Sequence, residues 1–364
     1  MLDNDFWRGK RVFITGHTGF KGSWLCLWLN SLGADVTGFS LSPPTDPNLF
    51  HLCNIQEDTK TIIGDIRDRE ALSSALLNAK PDIVFHLAAQ PIVRASYQNP
   101  VYTYETNVMG TIYLFEAIRL AVNNKIPIKA VINITSDKCY ENKEWVWGYR
   151  ENEPMGGYDP YSNSKACAEL ITSSYRKSFF NPELYDLHGV ALASVRAGNV
   201  IGGGDWAIDR LVPDCIRALL IGQEIKIRNP YAIRPWQHVL DPLSGYLLLA
   251  QKLYLEGVLY AEGWNFGPRD DDAKSVEWIV KNICNKWGSH ASYQIEKENY
   301  KHEAHFLKLD CSKSKQKLGW APRWNIGQGI DKTLEWVRAY TDQKCLKDIC
   351  LQQIEDYSNT QVEV

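Results

Sequence analysis

Short β-branched runs alternate with stretches of helical periodicity through the first part of the chain. Arg11-Val12-Phe13-Ile14-Thr15 reads as a strand, and apolar positions at Trp24, Leu25, Leu27, Trp28 and Leu32 follow at helical spacing to a stop at Gly33. Further strands are predicted at 35–41, Thr61-Ile62-Ile63, Ile83-Val84-Phe85, Val131-Ile132-Asn133-Ile134-Thr135 and 190–195. Helices are predicted between them, one over 102–120 and one opening at Tyr161 after Asp159-Pro160. Strand and helix in turn predict an α/β fold with a doubly wound parallel sheet. Beyond about residue 200 helices, short strands and polar loops replace the regular alternation, which predicts a smaller α/β C-terminal lobe. The expected division gives residues 1–198 plus 232–268 to the large lobe and 199–231 plus 269–364 to the small one.

A length of 364 residues accommodates two such lobes. A net charge of −3 and a pI near 6.3 supply no broad basic field, so neither nucleic acid nor a membrane surface is an expected partner, and a small molecule is. The nine cysteines are scattered, without a Cys-x2-Cys pair or zinc-type Cys/His spacing, so reduced thiols and no metal site are expected. The N-terminal stretch has no basic region followed by an apolar one, and no apolar run approaches a membrane span, so a cytoplasmic location is expected.

Polar residues gather where the predicted strands end, the edge at which open α/β sheets bind ligands. Gly16-His17-Thr18-Gly19-Phe20-Lys21-Gly22 follows the first strand and opens into a helix. Glycines there let backbone amides approach a pyrophosphate resting on the helix N-terminus, which predicts a dinucleotide site, although the spacing is Gly-x2-Gly-x2-Gly. The second strand ends at Ser40 and Ser42, with neither an acid for a ribose diol nor an arginine for a 2′-phosphate, so it does not choose between NAD and NADP. Asp65 can accept an adenine amino group or serve as a helix N-cap just before Asp68. His86 reads as a packed strand-end histidine, and Ala88 and Ala89 after Leu87 are small enough for a cofactor to lie against the backbone.

Ser136-Asp137-Lys138 puts a hydroxyl, a carboxylate and an amine at the end of the strand that begins at Val131. Tyr161 and Lys165, at i and i+4, share a helix face and can meet one ligand, and an ammonium beside a phenol lowers its pKa from about 10, making Tyr161 a usable base. Asp137 suits a general acid if burial holds its proton; Lys138 is either a base or an ion-pair partner that steadies Asp137. Trp145, Trp147 and Tyr149 predict an aromatic loop between 140 and 158, and Arg228 and Arg234 offer the fork that grips phosphate.

Taken together, Thr15-Gly16-x2-Gly19-x2-Gly22, Asp65, His86-x-Ala88-Ala89, Asn107, Ser136 and Tyr161-x3-Lys165 resemble the extended short-chain dehydrogenase/reductase superfamily, over nearly the whole chain to Leu318-Gly319-Trp320. Within it the chain is similar to the nucleotide-sugar 4,6-dehydratases, most closely those acting on CDP-D-glucose, through the blocks 16–24, 88–94, 136–142, 198–206 and 234–239. The resemblance implies a Rossmann lobe that binds NAD through Gly16, His17, Thr18, Gly19, Phe20, Lys21, Gly22, Ser40, Asp65, Ile66, Leu87, Ala88, Ala89, Asn107, Tyr161 and Lys165. It implies CDP-D-glucose held by Arg94, Asn199, Arg210, Arg234 and Asn265, with Arg228 a looser match. It implies a catalytic set of Ser136, Asp137, Lys138, Tyr161 and Lys165: Tyr161 takes the 4-hydroxyl proton as hydride leaves C4 for NAD, Lys165 lowers the tyrosine pKa and holds the nicotinamide ribose, and Ser136 positions the oxygen. Water then leaves across C5–C6 and the hydride returns to C6, giving CDP-4-keto-6-deoxy-D-glucose for deoxysugar and lipopolysaccharide biosynthesis. A homodimer through the helices around 104–120 and 161–178 is implied, with a dimer of dimers as the alternative.

Two departures stand out. His17 and Lys21 are expected to put bulk and charge at the phosphate turn, and Lys138 stands where related dTDP-glucose dehydratases have a glutamate. A nucleotide-sugar 4-epimerase would need Tyr161 and Lys165 but no acid for dehydration, and a dinucleotide-sensing protein would need no intact Ser, Tyr and Lys set; Asp137 beside Ser136 favours the dehydratase.

Overall fold

The computed structural model describes residues 3–288, 290–296 and 306–361. In chain order the described strands are β1 (Arg11–Thr15), β2 (Asp35–Ser40), β3 (Lys60–Ile63), β4 (Ile83–His86), β5 (Ala130–Ile134), β6 (Ala191–Ala197), β7 (Asn199–Ile201), β8 (Ile225–Ile227), β9 (Ile233–His238), β10 (Gly263–Phe266), β11 (Ala273–Ser275) and β12 (Tyr293–Ile295). Seven form one sheet in the order β10-β6-β5-β4-β1-β2-β3, every pairing parallel. This is the doubly wound Rossmann sheet expected from the alternation. The chain runs outward from β1 to β3, then returns to place β4 on the other side of β1, and the reversal opens a crevice at the carboxyl edge between β1 and β4.

Alternate strand residues face opposite sides, so each strand feeds two cores. Val12, Ile14, Ile132 and Val195 pack with Trp24, Leu25 and Leu247 from the helices Phe20–Ser31 and Leu240–Glu256. Phe13, Val84, Val131 and Leu192 pack with Leu72, Leu114 and Ile118 from the helices Arg69–Ala79 and Gly110–Asn123. Burial on both faces explains why these strands read as unbroken apolar runs. The predicted 102–120 helix is present with a π turn at Glu105–Met109 inserted before Gly110. The helix Pro160–Lys177 starts where proline and aspartate place it: Asp159 accepts from the Ser162 N–H at 2.9 Å, and Pro160 needs no donor at the first position.

The C-terminal part adds the small sheets β11-β9-β7 and β12-β8 with the helices Leu211–Leu220, Val276–Trp287, Ile326–Thr341 and Leu346–Asn359. Within 232–268, the Leu240–Glu256 helix and β10 join the large sheet, whereas β9 pairs with β7 and β11. Parts of the 269–364 range, at 289, 297–305 and 362–364, lie outside the described residues. Among the described residues no helix is long and apolar enough to cross a membrane.

Candidate active site

The glycine turn after β1 is shaped by contacts that exclude side chains. A Cβ on Gly16, whose φ is +79°, would sit 2.6 Å from the Ala88 nitrogen, and one on Gly22 would sit 2.2 Å from the Gly16 carbonyl oxygen, so turn, helix and the end of β4 close on one another. At Gly19 a Cβ would meet only the Gly16 oxygen, at 3.5 Å, and Gly19 caps the Phe20–Ser31 helix without a side-chain acceptor. A glycine turn leading into the N-terminus of a twelve-residue helix, with no side-chain cap, is the arrangement that binds a diphosphate. The Ala88 N–H bonds Thr15 Oγ1 at 3.3 Å, and Thr15 also binds His86 Nδ1 at 2.7 Å. His86 Nε2 meets Thr111 Oγ1 at 3.1 Å, and burial pushes His86 down to about 3; it is the packed neutral histidine expected.

His17 corrects an expectation. Its ring is fully buried over Gly38 of β2, where a Cβ would lie 2.2 Å from the imidazole, and burial pushes it down to about 4. It therefore brings bulk but no charge to the turn at neutral pH. Lys21 does bring charge: burial with Arg210 and Lys165 nearby draws it down to about 8, against the pull of Asp137 and Asp205. Thr18 Oγ1 meets Ser40 Oγ at 2.8 Å, which ties the turn to the end of β2. Asp65 does not cap the next helix, since Asp68 accepts from the Glu70 and Ala71 N–H groups. Instead Asp65 receives the Arg67 guanidinium at 2.6 Å, which holds its carboxyl below the usual range. Ile66 is buried against Gly110. Asn107, on the π turn, accepts from the Gln90 N–H at 2.8 Å and donates to Ser164 Oγ at 2.9 Å, clamping the post-β4 segment containing Leu87, Ala88 and Ala89 to the Tyr161 helix.

At the end of β5, Ser136, Asp137 and Tyr161 lie together and buried. Ser136 Oγ donates to Asp137 Oδ1 at 3.1 Å and accepts the Lys138 N–H at 3.2 Å. The Lys138 ammonium lies 6.0 Å from the centre of the Tyr161 ring. Burial raises Asp137, with Lys138, Ser136, Arg234 and Lys21 opposing it. Lys165 donates to the Ile134 carbonyl at 3.3 Å, and burial draws it down to about 8. Tyr161 departs from the sequence expectation: burial pushes it up to about 12, and the opposing influences are Ser136 and the Arg210 guanidinium rather than Lys165.

Of the expected substrate residues, Arg210 and Arg234 come to this cluster, Arg210 through its influence on Tyr161 and Lys21, Arg234 through its influence on Asp137. Arg210 also holds Asp205 at 2.9 Å. Arg94 and Arg228 meet at Asp209, at 3.0 and 3.5 Å. Asn199 is half-buried on β7. Asn265 is fully buried on β10 and turned toward protein groups: its Oδ1 accepts from Tyr140 Oη at 2.8 Å, and its Nδ2 donates to the Tyr149 and Asp310 carbonyls.

Residues 13–333 match the family model described as GDP-mannose 4,6 dehydratase. The chain belongs to this family. It is 58% identical over 357 residues to a CDP-glucose 4,6-dehydratase of Salmonella typhimurium, covering 98% of both chains. A probable dTDP-glucose 4,6-dehydratase of Sinorhizobium fredii is 26% identical over 342 residues, 90% of this chain and 92% of that one. Among solved structures, the dTDP-glucose 4,6-dehydratase DesIV of Streptomyces venezuelae, with NAD bound, superimposes with a TM-score of 0.73 at 21% identity, covering 92% of this chain and 98% of that one. A UDP-glucose-4-epimerase of Stenotrophomonas maltophila gives 0.77 at 20% identity over 92% and 99%. The last two likenesses establish the fold of the family member.

Sequence reading missed the pair that underlies the Tyr161 helix. Glu169, one turn beyond Lys165, receives the Arg196 guanidinium through Nε and Nη2, both at 2.9 Å, together with Thr135 Oγ1 at 2.5 Å and Ser194 Oγ at 2.7 Å. Arg196 also donates to Tyr140 Oη at 2.6 Å and to the Glu151 carbonyl at 3.0 Å, linking the helix to the aromatic loop. Two charges within apolar surroundings were the available signal: Arg196 in a run of strand residues and Glu169 at i+4 from Lys165.

Proposed function

We propose that the protein is a CDP-D-glucose 4,6-dehydratase that uses NAD and yields CDP-4-keto-6-deoxy-D-glucose. The observation that carries this reading is the buried set of Ser136, Asp137 and Tyr161 beside Lys165, at the sheet edge next to an open, uncapped glycine turn. A 4-epimerase has no use for the acid in that set. The residues fit a dinucleotide: the 16–22 turn and its helix N-terminus take the diphosphate, Ser40, Asp65 and Ile66 border the adenosine end, and 87–89, Asn107, Tyr161 and Lys165 border the nicotinamide end. Bound NAD supplies the acceptor for hydride from C4 and its donor to C6.

The rest falls to the chain. Tyr161, with Arg210 nearby to favour the phenolate, takes the 4-hydroxyl proton. Burial raises Asp137, which suits it to give a proton to the departing 6-hydroxyl. Lys138, whose amine lies 6.0 Å from the Tyr161 ring and so near the reacting carbon, removes the C5 proton that the 4-ketone acidifies. Arg210 and Arg234 neutralise the substrate diphosphate, with Arg94, Arg228 and Asn199 completing the nucleotide side. A homodimer through the 104–120 and 161–178 helices is supported by exposed apolar side chains there, Leu120 at 43% and Leu170 at 58%. The product suits cytoplasmic deoxysugar and lipopolysaccharide biosynthesis. Incubation with NAD and CDP-D-glucose tests the reading: a dehydratase gives the alkali-induced absorbance of a 4-keto sugar, an epimerase gives a C4-inverted sugar nucleotide without it, and a sensing protein gives neither.

A further inference from the structure

We propose that Ser96, on the helix Val93–Gln98 that follows β4, is a positioning residue for the reaction: its hydroxyl anchors the backbone of Tyr161 and so fixes where the phenol stands. The inference rests on Tyr161 as the base of the dehydratase reading and adds a residue outside the expected set. The first four N–H groups of a helix have no partner within it. In Pro160–Lys177, Pro160 has no N–H, the Ser162 N–H goes to Asp159 Oδ1 at 2.9 Å, and the Asn163 N–H goes to the Asp159 carbonyl at 2.9 Å. That leaves Tyr161, whose N–H is met by Ser96 Oγ at 3.1 Å, from 65 residues earlier in the chain. Ser96 is fully buried, so water does not replace it as the acceptor.

The serine is itself held. A serine hydroxyl has one proton and two lone pairs; the proton goes to the Val93 carbonyl at 2.6 Å, which leaves the lone pairs for Tyr161. The Ser96 N–H goes to the Ile92 carbonyl at 3.1 Å. On the other side of the same tyrosine, Ser164 Oγ donates to the Tyr161 carbonyl at 2.7 Å and receives Asn107 Nδ2 at 2.9 Å. Both polar groups of the Tyr161 backbone are thus pinned by fully buried serines, one from each of two helices. The phenol oxygen is the far end of a rigid ring that pivots on this backbone, so a tilt at Cα is enlarged where the proton is taken. A general base must stand within hydrogen-bond reach of its proton, and small misplacements cost rate steeply. Fully buried, Ser96 offers no surface to sugar or cofactor and acts through Tyr161.

The test follows the first turnover, as NADH absorbance after rapid mixing of NAD-loaded enzyme with CDP-D-glucose, in wild type, Ser96→Ala and Thr172→Val. Thr172 lies further along the same helix, fully buried, and accepts from Asn133 Nδ2 at 2.7 Å, so its loss also leaves one buried donor unmet. The positioning role predicts that Ser96→Ala forms NADH about 10-fold or more slowly at saturating sugar, with the Michaelis constant for the sugar and the Kd for NAD unchanged. Thr172→Val keeps the wild-type rate constant. Wild-type NADH formation by Ser96→Ala, a loss that Thr172→Val shares, or a loss confined to the Michaelis constant overturns the role. Should Ser96→Ala not fold, Ser96→Cys, of nearly the same shape but a weaker acceptor, is held to the same criteria. Absence of the 4-keto sugar from wild type sinks the dehydratase reading instead, and is seen before any variant is compared.

Discussion

Leucine in place of Glu169 would leave the Arg196 guanidinium buried without its carboxylate. The two side chains are 4% and 5% exposed, and the carboxylate receives two guanidinium bonds and two hydroxyl bonds. Breaking one side of such a pair costs about 3–5 kcal/mol, because the surviving charge cannot return to water. Linkage gives a second route to the magnitude. Arg196 and the hydroxyls hold Glu169 down to about 2 against burial, from an ordinary 4.5, a difference worth about 3 kcal/mol. A folded-state value below the unfolded one means that this stability is present above about pH 4.5 and is lost as pH falls toward 2. Urea unfolding followed by tryptophan fluorescence at pH 7 should show the loss for Glu169→Leu, and the variant should lack the wild-type slope in that acid window. Adding Arg196→Met removes the stranded charge and should recover most of the stability. A double variant no more stable than Glu169→Leu alone would refute the reasoning, since the cost would then lie in packing and not in charge.

Three further outcomes concern the chemistry. Asp137→Asn should still pass hydride to NAD, seen as NADH absorbance that stalls, while product formation drops by about 10²-fold or more; full product formation would remove Asp137 as the acid. Lys138→Met should permit oxidation at C4 but abolish solvent deuterium uptake at C5, and wild-type uptake in that variant would leave Lys138 as an ion-pair partner only. Arg234→Ala should raise the substrate Michaelis constant more than that for NAD; if neither constant moves, Arg234 serves the fold.

Much of the large lobe was legible because its signals are local. The β-branched run at Val131–Ile134, the glycine turn and the Asp159-Pro160 helix start are each fixed by neighbouring residues. What escaped was set by residues far apart in the chain. Glu169 and Arg196 find each other across the junction of a helix and β6, and nothing in either segment names its partner. His17 looked like added charge at a phosphate turn because the space that swallows its ring is made by Gly38, on the next strand. Tyr161 was expected low from Lys165 at i+4, yet burial dominates and Lys165 turns instead to the Ile134 carbonyl. Asn265 occupies an expected substrate position in the chain, while its amide is directed at Tyr140, Tyr149 and Asp310.

The late arrival of β10 bears on how the chain can be made and cut. This strand borders β6 only after the ribosome has delivered everything from β7 through the Leu240–Glu256 helix. Until then β6, buried along its whole length in the finished fold, offers a bare row of amides and carbonyls to any other nascent chain. A proteolytic or genetic cut at residue 198 would therefore release no self-sufficient nucleotide-binding module, but a sheet with one sticky margin and one face that has lost the Leu240–Glu256 helix.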